Sequence, residues 1–196
     1  MGSVLTQNTQ WKPNVERAIV ELHRKRLIDI DKILRIDHDT LAQAIRSSGY
    51  YNMKAIKLKA MTAFLKEHPT NELMKMTTIE ARQLLLGVKG IGPETADSIL
   101  LYALDKPIFV VDAYTRRIFT HLGLIKEGAR YEDIQRIFME AMQPDAEIFN
   151  EFHALIVEHA KRYYAKKPYR DIILTLGPTV PEILANPPQK RCITHR

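Results

Sequence analysis

Cysteine is almost missing from this chain. Cys192 is the single one among 196 residues, which excludes an internal disulfide and any metal site built from cysteines alone. No apolar run approaches the ~20 residues that cross a bilayer as a helix. The N-terminus lacks the basic-then-apolar pattern of a secretory leader. Together these absences lead to the expectation of a cytoplasmic protein that does not enter a membrane. Strand alternation is missing as well, and no repeat recurs at solenoid periods. Glycine is sparse, with 8 residues, and two of them, Gly90 and Gly92, flank a single isoleucine. What the chain has in excess is positive charge: a formal net charge of +6 and a pI near 9.4. That balance favours polyanionic partners without identifying one.

Helical periodicity dominates. Val15, Ile19 and Leu22 recur at helical spacing. Helices are predicted over 40–46 behind an Asp39 cap, 53–67 behind an Asn52 cap, and from Thr77 or Thr78 to Leu86. Further helices are predicted over 93–104, 113–122, 131–142 and 146–164. After residue 167 the prolines 168, 178, 181, 187 and 188 break any long helix. The expectation is an all-α fold with a helical region over 1–167. A Pro-rich tail over 168–196 follows, extended and partly disordered, with a turn at 181–184.

The stretch LLLGVKGIGPETADSILLYALDKPIFVVDAYTRRIF, from Leu84 to Phe119, concentrates the chemistry. A Gly-Ile-Gly turn joins two helical segments at about 78–104, with Gly90 and Gly92 both expected to supply positive φ. Pro93 suits the first turn of the second helix. Amides at such a turn, together with a helix N-terminus, form an anion site that fits a nucleic-acid phosphate. Asp112 ends the apolar run Ile108 to Val111, so the fold is expected to hold its carboxylate firmly. By itself, a lone Asp at such a place is usually a helix N-cap. A phosphate grip and one positioned acid point to chemistry on a nucleic-acid backbone or sugar. A metal-dependent nuclease would want clustered carboxylates, and only Asp112 and Glu94 lie near the turn, so no metal site is predicted.

These residues carry a resemblance. Segments 88–96 and 110–118 resemble the helix-hairpin-helix and Gly/Pro-Asp signature of the base-excision DNA glycosylases. VLTQNT at 4–9, GYYNMKA at 49–55 and FHALIVEHAKRYYAKKP at 152–168 agree with that superfamily in the same order. The similarity covers about 4–168, and is greater to 3-methyladenine DNA glycosylase III than to endonuclease III.

The resemblance implies two helical lobes with a DNA-binding cleft between them. It implies a monomeric repair glycosylase that hydrolyses the N-glycosidic bond of a damaged, alkylated purine in double-stranded DNA. By position, Asp112 matches the catalytic aspartate. Gln7 matches the residue that enters the gap left by an extruded nucleotide, and Tyr50 the wedge between stacked bases. Lys54 and Lys57 are expected to hold flanking phosphates, with Lys89, Gly90 and Gly92 gripping the strand on the other side. Trp11 is the candidate for stacking on a cationic base. Glu94 stands where the lyase branch has its imine-forming lysine and borders the base pocket, which makes lyase chemistry unexpected. Lys89 and Lys106 are the remaining amines nearby. His153 matches a family position but reads as structural.

Tyr163, Arg170 and Ile173 stand where endonuclease III has cysteines, so no iron–sulfur cluster and no other cofactor is expected. Val4 to Trp11 reads like the interior of a domain, which leaves the pocket half-built if Met1 is the true start. Two other readings fit the same residues: an endonuclease III-like glycosylase with lyase activity on other bases, and a truncated DNA-binding module without catalysis.

Overall fold

The computed structural model describes residues 1–171; the predicted tail beyond them, with its turn at 181–184, lies outside the described residues. A short helix α1 (Gly2–Leu5) is followed by a π-type turn, Trp11–Val15, that runs into α2 (Glu16–Arg24). Asp29 opens α3 (Ile30–Arg35) by accepting the Lys32 amide at 2.9 Å. Asp37 opens α4 (His38–Ala44) through the Thr40 amide at 2.8 Å. The predicted cap was Asp39; it already lies in the first turn of α4, whereas Asp37 has the extended backbone a cap requires.

Helix α5 (Tyr51–Glu67) begins one residue after Tyr50, which sits in the left-handed region at φ 46° and offers no side-chain cap. The predicted Asn52 cap is therefore a first-turn residue instead. After α6 (Thr70–Lys75), Thr77 and Glu80 form a reciprocal capping box that starts α7 (Thr78–Leu86). Then come α8 (Pro93–Leu104), α9 (Ala113–His121), α10 (Tyr131–Ala141) and α11 (Ala146–Tyr163), the last capped by Asp145. Helices α3 and α6 went unpredicted because six residues make too few turns for a periodic signal. No strand occurs among the described residues, so the fold is all-α.

The helices divide into two lobes. In the first, α3 and α4 pack on α5, α7 packs on α8, and the apolar stripes meet at Leu22, Leu41, Leu58, Leu85 and Leu100, all buried. The second contains α9 to α11, with α11 lying against both α8 and α9. One buried polar network ties them together. Asp97 of α8 is fully buried and accepts from Arg82 Nε at 2.6 Å and Nη2 at 3.1 Å. Its second oxygen also accepts from Gln135 of α10 at 2.7 Å. Breaking such a pair by removing one partner costs on the order of 3–5 kcal/mol.

One sequence expectation is overturned here. Lys54 was expected to hold a phosphate, but its side chain is buried, only 2% exposed. Its Nζ donates to the carbonyls of Leu5 at 2.7 Å and Ser48 at 2.6 Å. It therefore closes the end of α1 and the turn before α5. The sequence pattern hid this because Lys54 lies on the face of α5 that turns inward beside Ala55 and Leu58. Desolvation lowers its pKa to about 8. The unfolded chain then holds more protons than the folded one above that pH, so this group's contribution to stability rises from pH 8 towards its ordinary value. Lys54→Met, which leaves two buried carbonyls without a donor, should lose about 1–3 kcal/mol in chemical denaturation. A change within about 0.5 kcal/mol, as expected of a surface lysine, would contradict this placement.

Candidate active site

Between α8 and α9 the chain crosses the protein as an extended segment, with Ile108, Phe109, Val110 and Val111 all buried. A non-helical segment in a helical core has no ladder to satisfy its backbone, and side chains supply partners. Gln135 Nε2 donates to the Phe109 carbonyl at 2.6 Å, and the Phe109 amide donates to Met139 Sδ at 3.3 Å. The Val111 amide donates to the Tyr131 hydroxyl at 3.3 Å. The Phe109 ring stacks on Phe138 at 4.2 Å and meets Phe149 edge-on at 5.9 Å. At the start of the segment Lys106 donates to the carbonyls of Met74 and Met76. Its amine thus ties the segment to the end of α6.

Asp112 emerges at the end of this segment as the N-cap of α9. Its Oδ1 accepts both the Thr115 amide at 2.7 Å and the Thr115 hydroxyl at 2.9 Å. Its Oδ2 faces His153 of α11, with Nε2 at 3.6 Å. The other imidazole nitrogen, Nδ1, is hydrogen-bonded to the Tyr102 hydroxyl of α8. Burial pushes the Asp112 carboxyl up, but the approach of His153 and the two Thr115 bonds outweigh it and hold it below the ordinary value. Glu94, in the first turn of α8, moves the opposite way: burial raises its pKa, and the Asp112 charge adds to that. The two carboxyls are shifted in opposite directions, Asp112 down and Glu94 up.

The hairpin sits opposite. Gly90 takes φ 85°, as expected, whereas Gly92 does not: at φ −94° and ψ 177° it is an extended N-cap for α8. A Cβ at Gly92 would touch nothing within 4 Å. Among the described residues, the amides of both glycines donate to no protein group. Gln7 reaches this turn, donating to Thr95 Oγ1 at 2.9 Å and to the Gly90 carbonyl at 3.4 Å. Lys57 Nζ donates to the side-chain Oε1 of Gln7, and the Lys57 stem lies over Gly90.

Lys57 therefore braces Gln7 against the hairpin. Lys89 is exposed on the turn. Tyr50 is 72% exposed, so it is no core aromatic. Trp11 is 48% exposed, and a Cβ added at Gly2 would come within 3.1 Å of its ring edge. Beside Asp112, the first turns of α9 open onto a groove lined by the basic residues Arg116, Arg117, Lys126 and Lys167.

Two residues at the centre of this arrangement escaped the sequence reading. His153 was read as structural, and Tyr102 was not singled out. Tyr102 and His153 stand 51 positions apart, and only the packing of α11 on α8 joins them. The Asp112-x-x-Thr115 spacing, by contrast, is a capping pattern that sequence alone displays.

An all-α fold with a Gly-Ile-Gly hairpin and a half-buried aspartate capping the next helix is a helix-hairpin-helix architecture. Residues 1–144 match the HhH-GPD superfamily of base excision DNA repair proteins, and the chain belongs to that superfamily. It is 50% identical over 175 residues to a Methanocaldococcus jannaschii protein named as a DNA repair glycosylase, covering 87% of this chain and 79% of that one. It is 29% identical to the Sulfolobus acidocaldarius endonuclease III over 72% of this chain and 62% of that protein. The structure of the H. pylori 3-methyladenine DNA glycosylase bound to 1,N6-ethenoadenine superposes with a TM-score of 0.70 and 30% identity, over 82% of each chain. A trapped endonuclease III–DNA covalent intermediate shares the fold, with a TM-score of 0.72 at 20% identity over 91% of this chain and 78% of that one.

The two hairpin glycines should respond differently to substitution. Gly90→Ala puts a Cβ 2.7 Å from Lys57 Cγ in a left-handed backbone and should lose about 1–2 kcal/mol. Gly92→Ala should keep or slightly raise stability. Equal losses at both positions in thermal denaturation would contradict these conformations.

Proposed function

We propose that the chain is a monofunctional DNA glycosylase that releases alkylated purines, acting as a monomer on duplex DNA around a single damaged base. The observation that carries this reading is one ionised, doubly hydrogen-bonded carboxylate, Asp112, with no lysine in the position beside it. A base stacked in a duplex cannot be attacked there, so the nucleotide must leave the stack. Exposed Tyr50 suits a wedge, and Gln7, braced by Lys57, suits the residue that fills the gap. The open amides of Gly90 and Gly92 and the exposed Lys89 suit a phosphate. Trp11 presents a half-exposed aromatic face for a cationic base.

In this reading the electron pair of the C1′–N bond leaves with the base while positive charge develops on the sugar. The Asp112 carboxylate stabilises that charge and takes a proton from the water that attacks C1′. An alkylated, cationic purine departs as a neutral molecule, so no strong general acid is required. Glu94 cannot form an imine, and Lys106 is occupied by backbone carbonyls, which weighs against the lyase reading. The bound module without catalysis is disfavoured by the care with which Asp112 is held.

The iron–sulfur cluster of endonuclease III does not fit here. The segment after α11 is filled by aromatic packing of Tyr164 on Tyr169 at 4.9 Å and of His121 on both. His159 pairs with Asp171 at 2.8 Å, and a single cysteine cannot supply the thiolates a cluster needs. We propose that the protein works without a metal or other cofactor.

The test uses duplex DNA containing methylated purines, with borohydride added in parallel. The wild-type chain should release free base with no trapped adduct and no strand cleavage. Glu94→Lys should acquire a trappable adduct. Trapping by the wild type would favour the lyase reading, and intact binding with no release would favour a non-catalytic module.

A further inference from the structure

We infer that His153 is a positioning residue for Asp112, with Tyr102 holding its imidazole so that an Nε2–H group points at the free carboxylate oxygen. The inference rests on the glycosylase reading for its kinetic consequence, but its geometry stands on the structure itself. Asp112 has two oxygens, and Thr115 saturates only Oδ1. Without a second constraint the carboxylate would be held at one end only. His153 Nε2 lies 3.6 Å from Oδ2, too long for a hydrogen bond but within a small side-chain adjustment of one. That nitrogen is buried, and among the described residues it has no hydrogen-bond partner. A buried polar group in that condition calls for an explanation, and the nearby carboxylate provides it.

The hydrogen on Nε2 follows from the other side of the ring. Nδ1 is engaged with the Tyr102 hydroxyl. If the hydroxyl donates, Nδ1 is the acceptor and Nε2 carries the hydrogen of the neutral ring. If the ring is protonated, both nitrogens carry hydrogens. Only the third arrangement, Nδ1–H donating to the tyrosine oxygen of a neutral ring, leaves a lone pair on Nε2. That lone pair would face a carboxylate oxygen across a buried gap, which is repulsive. Tyr102 keeps its own proton, since burial and the Asp112 charge push its pKa up. The Phe109 ring meets the imidazole edge-on at 6.3 Å and 78°, and the ring is 8% exposed, so it has little room to turn.

The same Phe109 therefore locks both the segment that carries Asp112 and the histidine that faces it. Three elements, α8, α9 and α11, converge on one carboxylate through Tyr102, Thr115 and His153. The arrangement sets the direction in which Oδ2 points, towards the place where charge develops on the sugar. Misplacing a catalytic group by about 1 Å costs on the order of 100-fold in rate.

The test compares His153→Ala, His153→Gln and Tyr102→Phe in single-turnover base release, with duplex affinity and thermal stability measured on the same samples. His153→Ala should lose roughly 10- to 100-fold in rate with little change in affinity. His153→Gln, whose side-chain amide can point an N–H at Oδ2, should recover most of that loss. Tyr102→Phe should show an intermediate rate. A wild-type rate in His153→Ala would overturn the inference. So would equal losses in the alanine and glutamine variants that follow lost stability, because that marks a purely structural histidine.

Imidazole nitrogen NMR of the intact chain supplies a readout independent of activity. A hydrogen on Nε2 is expected, and a neutral ring with the hydrogen on Nδ1 would overturn the inference. If the wild type releases no base at all, the glycosylase reading fails, while the NMR result still decides the geometry.

Discussion

The structure depends on one constraint: an extended chain segment must cross a helical core without leaving its backbone polar groups unpaired. Residues Phe109 to Val111 are buried on all sides, and helices cannot pair with an extended backbone as a strand would. Gln135, Met139 and Tyr131 of α10 supply the missing partners. Gln135 in turn is anchored on Asp97, which is anchored on Arg82. The position of Asp112 is therefore set by a chain of contacts that begins in α7 and passes through α8 and α10. Cutting it at Asp97 would leave an uncompensated charge in the core, an expensive defect.

At the end of that segment, one side chain starts a helix and, in the proposed function, supplies the chemistry. As an N-cap, Asp112 starts α9 through Oδ1 and the two Thr115 donors. The cap uses one oxygen and leaves the other facing His153. Capping also anchors the carboxylate without neutralising it, since donors to the charged form favour ionisation. Glu94, nearby and without such donors among the described residues, has its pKa raised by burial and by the Asp112 charge. The two neighbouring carboxyls are thereby shifted in opposite directions.

Much of the architecture was legible from residues: the all-α fold, the hairpin, and the extents of α8 to α11 to within a residue or so. These depend on local signals, namely Pro93 at a helix start, the Thr77–Glu80 box and the Gly-Ile-Gly turn. Asp112 was legible because it ends an apolar run and carries the family signature. What was hidden depends on side chains meeting across the fold. Lys54 looks like a surface lysine in sequence, and only the approach of α1 to α5 reveals that it serves two carbonyls. Gly92 resembles Gly90 in sequence but takes an ordinary extended conformation, because Pro93 begins the helix immediately after it. The Tyr102–His153 contact exists only because α11 lies on α8.

The account's central claim is that Asp112 supplies chemistry beyond its cap. Asp112→Asn separates the two roles, because asparagine caps a helix about as well as aspartate. Base release from a methylated duplex, measured under single turnover beside duplex affinity and thermal stability, is the direct test. The account predicts a rate lower by roughly 10²- to 10⁴-fold, with affinity and stability close to those of the wild type. Release at the wild-type rate from a stable Asp112→Asn protein would contradict it.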